Sequence, residues 1–162
     1  MKTRTYEYGL TLVEIMIVVA VISILATMVI GVASRIDTQT KENGVDSIFG
    51  LLDGALQEYR EFTGGFPEQI ERNFANAPAH SEYLYYELNR VPDSRHILEK
   101  INDSLIENNY GAAGTPTGTS PEIYDPWGTA LDYIYKPGNN FPQLVSAGPD
   151  RNFGNADDMT NI

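Results

Sequence analysis

Residues 10–33 read LTLVEIMIVVAVISILATMVIGVA, and Glu14 is their only charge. At a rise of about 1.5 Å per residue, about 20 apolar residues span the hydrocarbon core of a bilayer. The stretch is therefore long enough for one membrane-crossing helix. A carboxylate inside such a helix costs on the order of 2.5–3.5 kcal/mol on insertion scales, which marks Glu14 as a functional position. The stretch follows MKTRTYEYG, a short polar leader in which Lys2 and Arg4 favour the cytoplasmic side. An ordinary single-span anchor leaves Glu14 unexplained. An ordinary secretory signal would use Gly31-Val32-Ala33 before Ser34 as its cleavage site. The apolar run, however, exceeds the roughly 7–15 residues of such signals. The length argues against a buried soluble helix.

Gly9 meets the apolar run directly, and the sequence around it resembles the type IV prepilin signature. In that family a leader peptidase cuts after Gly, the new N-terminus is methylated, and a Glu stands fifth in the processed chain. The resemblance makes Gly9 and Leu10 the processing site, and Leu10 and Glu14 the assembly residues. LTLVEIM departs from the usual pattern only in Leu10, where the family has Phe. Many members carry Pro where this chain has Gly31, a position at which the helix loosens on assembly. Gly is itself a weak helix former.

The chain has 162 residues, a formal net charge of −11 and no cysteine. Its acids lie almost entirely after Ala33. That distribution excludes a nucleic-acid footprint, because no basic stripe exists to displace counterions from phosphates. It suits an extracytoplasmic domain and invites divalent cations. Roughly 125 residues remain to fold in water, enough for a small core. Without disulfides, a metal ion is one route to rigidity.

From Ser34 to about Phe62 the spacing predicts an amphipathic helix continuous with the apolar one. Val45, Ile48, Phe49, Leu52, Leu56, Tyr59 and Phe62 form its inner stripe. Lys41, Glu42, Asp46, Asp53, Glu58 and Arg60 form the opposite face. Gly44, Gly50 and Gly54 would allow neighbouring elements to approach closely. Thr63-Gly64-Gly65-Phe66-Pro67 ends the helix. The order ALQEYREFTGGFP resembles the major pseudopilin pattern, independently of the N-terminal signature.

Short helices are predicted over Glu82–Leu88, with Tyr83, Leu84 and Leu88 inward, and over His96–Leu105. Gly111–Ser120 reads as a flexible loop. Neither His80 nor His96 sits near a ligand-type cluster with metal spacing, and both are expected at the surface. Tyr124-Asp125-Pro126-Trp127-Gly128 reads as a turn leading into a strand with Leu131, Tyr133 and Tyr135 on one face. Residues 136–140 form a hairpin loop and Gln143–Ser146 the returning strand. Trp127 is expected in the core. This DPWG, strand, turn and strand order is similar to the end of the type II secretion major pseudopilin family (its G-type subunit).

The chain ends SAGPDRNFGNADDMTNI, a Gly-bearing loop rich in oxygen ligands. It does not have EF-hand spacing, since from Asp150 the fifth residue is Gly154 and the twelfth Asn161. By composition alone it would be a solvated acidic tail. The family resemblance implies instead a Ca²⁺ loop with Asp150, Asp157 and Asp158 as side-chain ligands. Carbonyls near Ala147 and Phe153 would supplement them.

No activated Ser or Cys motif, phosphate loop or paired His ligands are present, so an enzyme is not expected. The resemblance implies an α+β, pilin-like fold: a long N-terminal helix, transmembrane in its first half, packed on a small antiparallel β-sheet head with a C-terminal calcium-type loop. Residues 1–9 would be the leader, 10–33 the transmembrane and assembly helix, 34–63 its amphipathic half and 64–162 the head. It also implies a pseudopilin of the bacterial inner membrane, single-pass, with a cytoplasmic N-terminus and a periplasmic head. Its partners would be copies of itself in a filament, the prepilin peptidase, other pseudopilins and the inner-membrane secretion platform. A type IV pilus subunit and a minor pseudopilin share the N-terminal argument, although the former usually carries a C-terminal disulfide. A membrane-anchored, calcium-dependent binding module that never polymerises is the reading from another class.

Overall fold

A computed structural model describes residues 11–110 and 120–162, with residues 28–34 described by backbone alone. Gly9, Leu10 and most of the Gly111–Ser120 loop lie outside the described residues. The described chain divides into two units, with the boundary after Gln39. Helix α1 runs over Leu12–Thr63, through Gly31, so it begins in one unit and ends in the other.

In the first unit the large apolar side chains from Leu12 through Leu25 are exposed on every side of the helix. Among the described residues, no helix is long and apolar enough to cross a membrane. The hydroxyls of Ser23, in this stretch, and of Thr27, just past it, are satisfied within the helix. Ser23 Oγ donates to the Val19 carbonyl and Thr27 Oγ1 to that of Ile24, at 2.8 Å each. A helix that is apolar all round and internally satisfied suits lipid or a helix bundle.

In the second unit, α1 lays Val45, Ile48, Phe49, Leu52 and Leu56 into the core as their spacing predicts. They pack with Leu84, Leu88, Leu98, Ile123, Leu131, Tyr133 and Leu144. Each fully buried side chain of this size contributes about 1.5–3 kcal/mol. Tyr59 is half-buried, but Phe62 is 70% exposed, contrary to expectation. At about 100° per residue, Phe62 points about 120° away from Leu56. Asp53, placed by spacing on the solvated face, is partly buried and accepts from Asn161 Nδ2 at 2.7 Å. Of the three glycines, only Gly44 meets a tight neighbour, since an added Cβ would lie 3.2 Å from Pro126 Cγ. The helix stops at Gly64, whose φ of +87° no β-carbon residue adopts easily.

Helix α2 (Ala77–Arg90) starts well before Glu82, because Pro78 sits in its first turn, where a missing N–H costs nothing. Leu84 and Leu88 are buried and Tyr83 half-buried. Helix α3 (Pro92–Leu98) replaces the helix expected over His96–Leu105. Pro92 starts it early, and a separate 3-10 turn covers Asp103–Leu105, capped by Asn102 accepting from Ser104 N at 3.0 Å. The turn keeps Ile101 and Leu105 inward, which is why their spacing looked helical. Ser94 ties α3 to α1 by donating to the Ala55 carbonyl at 2.7 Å.

Two small antiparallel sheets complete the head. β1 (Ile106–Glu107) pairs with β2 (Glu122–Ile123). β3 (Asp132–Ile134), β4 (Gln143–Ser146) and β5 (Met159–Thr160) form the second sheet in the order β3-β4-β5. Tyr133 faces Leu144 and Ser146 faces Met159. β3 and β4 are the predicted hairpin. β5 was not expected, and it turns the acidic C-terminal stretch into a loop anchored at both ends. The fold is α+β, a long N-terminal helix packed on small antiparallel sheets, consistent with a pilin-like fold.

Candidate functional site

At the N-terminal end, Thr11 caps α1. Its backbone N and its Oγ1 both donate to Glu14 Oε2 at 2.7 Å, and Glu14 N donates back to Thr11 Oγ1 at 3.3 Å. This is a reciprocal capping box, which satisfies donors that the first turn of a helix leaves open. The T-x-x-E signal for this box stands in the sequence at Thr11–Glu14. Glu14 is therefore held within its own subunit, beside the exposed apolar surface of the same helix. Gly9 and Leu10, the expected processing residues, lie outside the described residues.

The C-terminal loop joins β4 to β5. Asp150 Oδ1 accepts from Asn152 N at 2.7 Å, and its Oδ2 accepts from Asn155 Nδ2 at 2.8 Å. Asp157 Oδ2 accepts from Asp150 N at 3.3 Å, and Asp158 Oδ2 from Gly154 N at 2.7 Å. Asp158 Oδ1 is buried with no hydrogen-bond partner among the described residues. The loop closes tightly over Gly148: at φ +67°, an added Cβ would lie 2.3 Å from the Asp157 carbonyl oxygen. Among the described residues, no group of three or more His, Cys, Asp or Glu side chains is placed to hold a metal ion. The donors are all hard oxygens, the chemistry Ca²⁺ prefers, and one buried carboxylate oxygen is left without a partner.

The corner before β3 anchors this loop. Asp125 is buried; its Oδ1 accepts from Trp127 N at 3.0 Å and Thr129 N at 2.9 Å. Its Oδ2 accepts from Ser146 Oγ at 2.7 Å, and Ser146 Oγ in turn accepts from Gly148 N at 3.2 Å. The DPWG turn thus reaches the first residues of the acidic loop through two hydrogen bonds. Gly128 takes the positive φ, +88°, that the turn requires. At the other end Asn161 Oδ1 accepts from Leu144 N at 2.9 Å, so the last residues are pinned as well. Asp53, facing Asn161, has its carboxyl pushed up by burial, against the smaller downward pull of the Asn161 hydrogen bond.

His80 is not at the surface as expected: it is buried, with Nδ1 2.6 Å from Asp132 Oδ1 and Nε2 3.6 Å from Glu71 Oε2. A lone histidine gave no sign of this, because its partners come from other elements. His96 is exposed, as expected.

Residues 4–30 match the family described as the prokaryotic N-terminal methylation motif. No curated protein and no solved structure matches the chain. The matched segment contains Gly9, Leu10, Thr11 and Glu14. Such a motif implies processing by a prepilin peptidase and assembly with other pilins, and so a structural role. The chain carries a prepilin-type methylation motif, which indicates a type IV pilin-like or pseudopilin subunit.

Proposed function

We propose that this chain is a major-like pseudopilin of a type II protein secretion system, polymerising into a periplasmic pseudopilus. The observation that carries the reading is the N-terminal one. A methylation motif coincides with an exposed, all-round apolar helix whose single acid is held at its first turn. Such a helix needs lipid before assembly and neighbouring helices after it. Subunits wait in the inner membrane, N-terminus cytoplasmic and head periplasmic. The prepilin peptidase cuts between Gly9 and Leu10, and other pseudopilins and the secretion platform receive the processed subunit. The DPWG corner leading into the β3–β4 hairpin, with no cysteine in the chain, favours this system over a type IV pilus, whose subunits usually carry a C-terminal disulfide.

Intact-mass measurement on chain extracted from its native membrane tests the reading. A species beginning at methylated Leu10 is expected. A chain that still begins at Met1 would reduce the protein to a plain anchor.

Calcium belongs to the same proposal. Asp150, Asp157 and Asp158, which do not converge as a three-carboxylate group in this structure, would have to draw together around the ion with neighbouring carbonyls, and the ion would supply charge neutralisation and rigidity to the loop. The unpartnered Asp158 Oδ1 supports this. A ligand at a hundredfold excess over its Kd stabilises by about 2.7 kcal/mol. Added Ca²⁺ should therefore raise the melting temperature by several degrees, and Asp158→Asn should blunt the response. An identical melting temperature in calcium and in chelator would remove calcium from the account.

A further inference from the structure

We propose that His80 is a proton-dependent clamp that ties the segment 69–76, and through it the acidic loop, to the rest of the head. The clamp is built from three elements. His80 stands on α2 with its side chain only 6% exposed, and its Nδ1 lies 2.6 Å from Asp132 Oδ1 on β3. Asp132 is itself buried. Nε2 faces Glu71 Oε2 at 3.6 Å and makes no hydrogen bond among the described residues. Glu71 is oriented for this: its Oε1 accepts from Asn76 Nδ2 at 2.9 Å and Asn73 Nδ2 at 3.5 Å, which leaves Oε2 toward the ring.

The segment carrying Glu71 also reaches the C-terminal part of the head. Arg72 Nη2 donates to Gln143 Oε1 at 3.1 Å, and the Phe74 ring stacks on Phe153 with centroids 4.8 Å apart. Arg72 and Asp158 line a cavity of about 120 Å³ together with Asp132. They are the other charged groups that line this cavity. On β2, which also packs against α2, Glu122 turns its Oε2 to Asn109 N and Tyr110 N. Within α2, Glu82 is buried and its Oε1 accepts from Ser120 N at 3.3 Å.

The chemistry follows from the count of ring protons. A neutral imidazole has one N–H, and Asp132 at 2.6 Å takes it at Nδ1. Nε2 then presents a lone pair to the Glu71 carboxylate, which repels it. An imidazolium donates on both sides, so one added proton turns the second contact from repulsive to attractive. Histidine is the side chain that makes this change between about pH 5 and 8.

The test uses the full chain in detergent micelles, with chelator in every sample so that calcium does not contribute. The chain has two histidines, so His96→Gln leaves His80 as the sole imidazole reporter. NMR follows the ring, and amide hydrogen exchange, corrected for its intrinsic pH dependence, follows residues 69–76 and 150–155. Protection in both segments should fall about tenfold as the ring loses its proton. Glu71→Gln, at a half-exposed side chain, should remove that pH dependence while the ring still titrates. Protection that ignores the state of the ring, or that tracks it equally well in Glu71→Gln, would overturn the clamp.

Discussion

Replacing Asp125 with Ala is expected to destabilise the head by about 3–5 kcal/mol. The carboxylate is 1% exposed and serves three donors: Trp127 N, Thr129 N and Ser146 Oγ. Hydrogen bonds to a charged group contribute about 1.5–3 kcal/mol each, and a buried donor left without its acceptor costs about 1–3 kcal/mol. The sum is offset by relief from burying a charge, which is why the expected loss stays below the total of the three. Against a typical stability of about 5–15 kcal/mol, this is a large fraction. Asp125→Asn separates shape from charge. Its oxygen can still accept from the two backbone amides, but its NH₂ meets the Ser146 hydroxyl, so about 1–2 kcal/mol should be lost. Trp127 is the only tryptophan, it is buried, and it donates to the same carboxylate, so its fluorescence reports unfolding of this corner. Denaturation midpoints for Ala and Asn that both match the parent would show that the corner is held by packing alone.

Much of this corner was legible in the sequence, and the reason is locality. Asp125, Pro126, Trp127 and Gly128 specify a turn by chemistry confined to a few residues, and the structure forms it. The inner stripe of α1 was legible for the same reason, since a period of 3.6 is visible within one helix. Errors came where the deciding partner lies far along the chain. His80 and Asp132 are separated by 52 positions, and Asn161 and Asp53 by 108. Nothing near His80 or Asn161 announces such contacts. Strand β5 is not legible because Met159–Thr160 is too short to show alternation, and only its pairing with β4 makes it a strand. That pairing decides how the acidic residues should be read, as a loop closed at both ends. The N-terminal site was legible in its residue types but not in its contacts, since the Thr11–Glu14 pairing is a property of the helix end.

Glu14→Ala is expected to leave insertion and cleavage intact and to abolish most filament assembly. Removing the carboxylate spares the membrane helix a cost on the order of 2.5–3.5 kcal/mol, so insertion should not suffer. Assembly is different. On the proposed reading, by analogy with prepilin-type filaments, Glu14 of one subunit would neutralise the N-terminal ammonium of Leu10 on the next. Breaking such a buried pair costs about 3–5 kcal/mol. At about 1.4 kcal/mol per tenfold, each subunit addition would be disfavoured more than a hundredfold. The capping box offers a rival explanation, because Ala also removes the acceptor for Thr11 N and Oγ1. Glu14→Gln distinguishes the two. Gln can complete a capping box as Glu does, but it brings no charge to a neighbour's ammonium. Filament yield, measured against processed subunit in the membrane, should therefore collapse in both variants if pairing governs assembly. Recovery in Gln but not in Ala would assign Glu14 to capping the helix of its own subunit. Normal yield from both would end the assembly role altogether, whatever the mass of the processed chain.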